Sequence, residues 1–158
     1  MADQVSDGKI KVGWVTTLSS VPTPTVAQVT AGIDLEGWIT PDGLAIEIGE
    51  DEVDTSKLNS KFNSKRVGRG TPSMELTFFQ QGKGSAPYTT FNSQPDGWLV
   101  VRYDIDSETD WAAGQIVEVY PCKAGDQRLI PPAENDSEKF SVALFPTADY
   151  DDDAVIAA

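Results

Sequence analysis

Apolar residues in this chain recur at every second position, in short runs cut by glycine and proline. That period belongs to a pleated strand with one buried face, because successive side chains of a strand point to opposite sides. Ile10, Val12 and Trp14 fall on one face, and Lys9 and Lys11 on the other. Met74, Leu76 and Phe78 alternate with Glu75 and Thr77 in the same way. Trp98–Val101, within Gly97–Ile105, is apolar on both faces, as a central strand covered on both sides should be. Gln115–Cys122 and Lys139–Phe145 read as further strands, and Ala154-Val155-Ile156 after Asp151–Asp153 as a short last strand or an arm. Pro41-Asp42-Gly43, between Trp38-Ile39 and Leu44, Ile46 and Ile48, carries a turn signature and predicts a hairpin. One segment departs from period two. Ser85 followed by Pro87, with Tyr88 and Phe91 three apart, predicts a short helix near Ala86–Ser93 that lays two aromatic rings on the sheet. The expected fold is mainly β: an antiparallel sandwich or barrel with one short helix and a long charged loop or hairpin arm.

With 158 residues the chain is the size of a single domain, 1–158, large enough to fold without a disulfide or metal staple. Its 12 basic against 25 acidic residues leave a net charge of −13. So acidic a surface excludes nucleic-acid binding by broad phosphate neutralisation. Residues 146–158 read as an acidic C-terminal tail. The absence of histidine removes imidazole zinc sites, Ser–His–Asp triads and Cys–His dyads. Cys122 closes an apolar strand and reads as a small buried hydrophobe. The polar, acidic start and the lack of a long apolar run predict a soluble protein of a reducing compartment, with neither a secretory leader nor a membrane helix.

Motifs with chemical potential are weak. Asp104-Ile-Asp106-Ser-Glu108-Thr-Asp110 opens like a calcium loop, but Thr109 stands at its sixth position and Gln115 at its twelfth, where glycine and glutamate belong. It reads as an acidic exposed turn. Gly68-Arg-Gly70 and Gly82-Lys-Gly84 are too short for phosphate loops, and Asn135-Asp-Ser137 is a sequon without a secretory context. No pair of carboxylates lies in an apolar setting that would raise one pKa. The reading is a non-enzyme without cofactor or metal.

The informative stretch is Glu47–Arg69. It opens with acids, Glu47, Glu50, Asp51, Glu52 and Asp54, and continues with bases, Lys57, Lys61, Lys65, Arg66 and Arg69. Its apolar anchors are sparse: Val53, Leu58, Phe62 and Val67. The plain reading is a solvated hairpin whose two arms neutralise each other. The functional reading is an arm, 50–71, whose opposite charges suit head-to-tail contact between copies, with Leu58 and Phe62 as apolar anchors.

The order of Asp34-Leu-Glu-Gly-Trp-Ile-Thr40, the charged arm ending at Val67-Gly-Arg-Gly70, Met74-Glu-Leu-Thr-Phe78, the short helix and Gly97-Trp-Leu-Val-Val-Arg102 resembles the major tail tube proteins of long-tailed bacteriophages, notably those of actinobacteria. The resemblance spans most of residues 9–145. It implies a virion protein made in the host cytoplasm, whose subunits form hexameric rings stacked into a tube. Its partners would be itself and other tail proteins such as tape measure, tail tip and terminator proteins. DNA would pass through without specific binding, and the loop matching Glu50–Thr71 would reach the next ring. The alternative is a monomeric β-sandwich carbohydrate-binding or adhesion module, with Trp38 and Trp111 beside turns as stacking platforms and Trp14 and Trp98 in the core.

Overall fold

The computed structural model describes Val5 and residues 7–158. Its strands are β1 (Lys11–Val15), β2 (Ile33–Asp34), β3 (Ile39–Asp54), β4 (Lys65–Phe79), β5 (Asp96–Arg102), β6 (Ile116–Ile130), β7 (Lys139–Pro146) and β8 (Asp151–Val155). They form one antiparallel sheet in the order β2-β1-β5-β6-β7-β4-β3, with β8 also on β6. The sheet folds over on itself. Val12 and Trp14 of β1 and Leu99 and Val101 of β5 share one core with Leu76 and Phe78 of β4 and Phe140 and Val142 of β7. Its centre is aromatic: Trp14 meets Phe91 edge-on at 5.1 Å, and Phe78 stacks between Phe91 and Phe140 at 5.7 and 5.2 Å.

A second core lies on the other face of β1, β5 and β6. There Val15, Val100, Val117 and Val119 are covered by Val29 of helix α1 (Val26–Ala31) and by Ala154 and Ile156 at the C-terminus. The chain after Pro146 is therefore tied down. Ala154 and Ile156 are buried, and Ala157 is held by the Val26 amide at 2.9 Å. Strand β5 is the doubly covered strand its sequence predicts, with Leu99 and Val101 in one core and Val100 in the other.

Local expectations meet mixed fates. Helix α2 (Ala86–Phe91) forms where expected, with Phe91 buried and Tyr88 edge-on to Phe140 at 5.5 Å. Helix α1 is a second helix that the period-two reading missed. Its signature is a capping box: the Gln28 amide donates to Thr25 Oγ1 at 3.3 Å, and the Thr25 amide to Gln28 Oε1 at 3.4 Å. Pro41-Asp42-Gly43 is not a hairpin. It is a bulge inside β3, where pairing with β4 jumps from Ile39↔Phe78 to Leu44↔Leu76. A Cβ on Gly43 would lie 2.4 Å from the Thr77 carbonyl oxygen, so a turn-forming residue here serves close backbone approach. β6 also runs eight residues past Cys122, because Ala124–Gln127 forms a bulge rather than a turn. Lys11 does face away from Trp14, but that side is covered too, and the lysine is buried.

Leu99 and Val101 sit at the crossing of β1, β5 and β6 with no exposed surface. Leu99→Ala should cost roughly 2–4 kcal/mol and Val101→Ala somewhat less, through lost burial plus a residual cavity. Urea unfolding followed by tryptophan fluorescence measures both.

Candidate assembly interface

The charged segment is a β-hairpin. Pairing of β4 with β7 stops at Met74↔Leu144, whereas pairing of β3 with β4 continues through Glu47↔Ser73, Gly49↔Thr71 and Glu50↔Gly70 to Asp54↔Lys65. Beyond Ile48 the two strands have only each other, over a length of roughly 20 Å at ~3.3 Å per residue. The tip is a serine-rich turn closed by its own hydrogen bonds. The Thr55 amide donates to the Ser64 carbonyl at 2.9 Å, and the Ser64 amide to Ser56 Oγ at 2.9 Å. Asp54 accepts from the Ser56 amide at 2.8 Å, and this bond holds its carboxyl below the usual range.

The hairpin brings Glu52 and Asp54 opposite the basic strand, and Lys65 Nζ pairs with Glu52 Oε2 at 2.5 Å. Val53 faces Arg66 across the ladder, and Asp51 lies in the bulge between Glu50 and Glu52. Lys57, Leu58, Lys61 and Phe62 ride on the tip. Among the described residues Glu50, Asp51, Lys57, Lys61, Arg66 and Arg69 make no ion pair. The apolar anchors have no partner core either: Leu58 is fully exposed, Phe62 is 83% exposed, and Val53 and Val67 are exposed on the strands. One exposed ion pair is worth about 0–1 kcal/mol, and an isolated two-stranded ribbon is marginal in water. The arm is thus an element with unused charge and unused apolar surface at its far end.

The body holds a feature that sequence reasoning missed. Arg102, at the end of β5, is fully buried. Its guanidinium donates to the carbonyls of Asp106 and Thr109 at 2.8 Å, to that of Asp110 at 3.2 Å and to Gln115 Oε1 at 3.1 Å. The loop that opens like a calcium site therefore turns its backbone oxygens on an arginine. Burial pulls the Arg102 pKa down, and the carboxylates of Glu36, Asp34, Asp106 and Asp110 oppose that pull. Among the described residues no cluster of three or more His, Cys, Asp or Glu could hold a metal ion.

Trp111 is not a surface platform. Its ring is buried beside Lys11 and Arg102, whose cations lie 5.4 and 5.1 Å from its centroid, and its Nε1 donates to Asp34 Oδ1 at 3.0 Å. Lys11 also pairs with Asp34 at 3.4 Å and Glu36 at 3.2 Å. Trp38 is half-buried and donates to Gln81 Oε1 at 3.2 Å. Cys122 is buried, and burial pushes its thiol up to about 12. On β6, Glu118 is half-buried and accepts the Tyr120 hydroxyl at 3.1 Å. Burial raises its pKa, with Asp152 and Asp153 adding to the rise, and the Tyr120 and Tyr103 hydroxyls opposing it.

The fold is thus an antiparallel sheet folded over on itself that holds out a hairpin with exposed apolar side chains at its tip. The family model for phage tail tube proteins matches residues 1–158, and the chain belongs to that family. It is a structural component of the virion tail. No curated protein sequence matches it. Among 14 matching chains of solved structures is one from the cryo-EM structure of the anti-feeding prophage baseplate, described as six-fold symmetrised. That chain is 9% identical, with a TM-score of 0.63 over 96% of each chain, so the likeness is one of fold. No helix among the described residues is long and apolar enough to cross a membrane.

The environment of Glu118 has a consequence for stability. A carboxyl whose folded pKa is raised holds its proton more tightly when folded, so its contribution is greatest below the unfolded value near 4.5 and is lost as pH rises through the folded value. Glu118→Gln keeps an acceptor for Tyr120 without the charge. It should raise the melting temperature at neutral pH, and the gain should shrink as pH falls through the raised folded value and be gone below the ordinary value near 4.5. Thermal melts of both proteins across this range check the sign.

Proposed function

We propose that the chain self-assembles into six-membered rings that stack into the tail tube, with the arm 50–71 as a contact between subunits and the tube as a passive conduit for DNA. The observation that carries this is the arm itself: some 20 Å of two-stranded ribbon ending in exposed Leu58 and Phe62 among bases without acids. An element like this gains little inside its own subunit and much against another. The six-fold number is supported by the fold likeness to a chain of a six-fold symmetrised baseplate. Tape measure, tail tip and terminator proteins are the proposed heterologous partners, and the role needs neither cofactor nor catalysis.

Charge fits the conduit. Six copies at −13 each carry about −78, and an acidic wall repels the phosphate backbone that a basic wall would bind. Repulsion between subunits is screened beyond roughly 8–10 Å, so it acts mainly where neighbours touch. The basic strand of the arm offsets it there.

Electron microscopy of the purified protein tests the assembly: rings or hollow tubes are expected, and a permanent monomer overturns the reading. Lys65→Glu with Arg66→Glu and Arg69→Glu should leave the circular dichroism spectrum unchanged and abolish polymerisation. Trypsin should cut the arm of the free subunit and spare it in the tube. Normal tubes from the triple variant would make the arm a mere surface hairpin.

DNA should not stick. Neither subunit nor tube should retard duplex DNA in a gel at physiological salt, and binding that persists there would contradict the slippery wall.

A further inference from the structure

Lys11 is the only buried lysine among the described residues, with its side chain 7% exposed. Strand pairing supplies its company. Gly13 faces Asp34 across β1 and β2, so alternation along β1 sets Lys11 on the same face as Asp34, and the turn after β2 adds Glu36. Lys11 Nζ stands 3.4 Å from Asp34 Oδ2, 3.2 Å from Glu36 Oε1 and 3.3 Å from the Ser107 carbonyl oxygen. The Trp111 ring lies against the ammonium, 5.4 Å from Nζ to its centroid, and its Nε1 donates to Asp34 Oδ1 at 3.0 Å. Gly13 makes room for that ring, since a Cβ there would lie 3.3 Å from Trp111 Cζ2. Glu36 Oε2 is buried and has no hydrogen-bond partner. A nucleophile, a carboxyl carbon, a proton acceptor and a donor on the carbonyl oxygen thus meet in one place.

We infer that Lys11 and Asp34 condense into an isopeptide bond that joins β1 to β2, with Glu36 as the proton carrier. Glu36 takes a proton from Nζ and passes it to Asp34 Oδ2. The neutral amine attacks Asp34 Cγ, and the Trp111 N–H stabilises the negative charge that develops on Oδ1. A second proton moves from Nζ through Glu36 to Oδ2, the Cγ–Oδ2 bond breaks, and one water leaves. Ammonium plus carboxylate becomes amide plus water, and no oxidant, reductant or cofactor takes part. The reaction removes two charges from a site where burial makes charge costly. Asp34 is half-exposed, which gives the water a way out. Glu36 stays ionised as a counter-charge to Arg102, on which it acts more strongly than any other carboxylate.

The bond has a place in the fold. Strand β2 is two residues long and stands at the edge of the sheet. The only cysteine is Cys122, so no internal disulfide can hold that edge. An amide from Lys11 to Asp34 does so, and it takes freedom from the unfolded chain as a disulfide would. It concerns a single subunit and is independent of how subunits assemble.

Mass spectrometry of the full chain, folded and then denatured, tests it. Trypsin should leave Lys11 uncut and release Ile10–Lys57 as one peptide lighter by one water, because no other lysine or arginine lies between them. Fragment ions should place the link between Lys11 and Asp34. Lys11→Arg should restore the full mass, which an aspartate cyclised on its own backbone would not do. Glu36→Gln leaves both reacting groups in place and should slow the linkage on the order of 10²-fold, with an unchanged circular dichroism spectrum. A folded wild-type chain that keeps its full mass, a water loss that survives Lys11→Arg, or a Glu36→Gln chain that links as fast as the wild type overturns the inference. If either variant misfolds, the wild-type peptide and its fragment ions decide alone.

Discussion

Strand β6 is the constraint on which the fold depends. It pairs with β5 through Glu118–Lys123, with β7 through Cys122–Ile130, and with β8 through Ile116–Val119. No two of these partners could be placed independently, because a shift of one residue on β6 would turn Val119 and Cys122 out of their cores. The bulge at Ala124–Gln127 lets so long a strand bend, and it puts Gly125 where a Cβ would meet the Phe145 ring at 2.9 Å. The bend carries β7, and with it β4 and β3, over the face of β1 and β5. One sheet thereby makes its own core, and β3 and β4 are left free to run past β7 as the arm.

The distribution of the few bases follows from the same arrangement. Twelve are available against 25 acids, and two of them, Lys11 and Arg102, are spent inside the domain against the Trp111 ring. A buried guanidinium is costly unless its donors are met, and here carbonyls of the 106–110 turn and Gln115 meet those of the two terminal nitrogens, while Nε has no partner. The backbone oxygens of the acid-rich loop bind the guanidinium, while Asp106, Glu108 and Asp110 stay exposed. Five other bases lie between Lys57 and Arg69. The rest of the surface is therefore strongly acidic, and the arm is the one concentrated source of opposite charge.

Much of the sheet was legible because period two survives wherever one face is buried. Met74, Leu76 and Phe78 point inward, and Leu99, Val100 and Val101 serve both cores as the doubly apolar run implied. Bulges were not legible. Pro41-Asp42-Gly43 and Ala124-Gly125-Asp126 have the composition of turns, and only long-range pairing decides that the strand continues through them. Helix α1 is two turns or less, too short for a period to show, and only Thr25 and Gln28 announce it. Lys11 and Trp111 misled because charge and a turn-side position suggest exposure, whereas a cation–π contact makes burial tolerable. The arm was legible in extent and charge, but the Arg102 site unites a strand end with carbonyls of the 106–110 turn and Gln115, and no local pattern marks it.

Arm and body differ in what holds them together, and that difference bears on assembly. The body has two cores and ladders on both sides of most strands. Past Ile48 the arm has one ladder, a tip of serine hydrogen bonds and four exposed apolar side chains. Local opening should therefore begin in the arm and leave the body intact, because few buried contacts oppose it. Ordering it fully requires a surface that supplies both apolar cover and acids, which in the proposed assembly is a second copy of the chain. Self-association would then remove backbone freedom from the arm at about 1 kcal/mol per residue fixed, a cost recovered only when the tip is covered. In the proposed assembly, the same imbalance that leaves the arm the weakest-held part of the subunit makes it the point at which polymerisation is controlled.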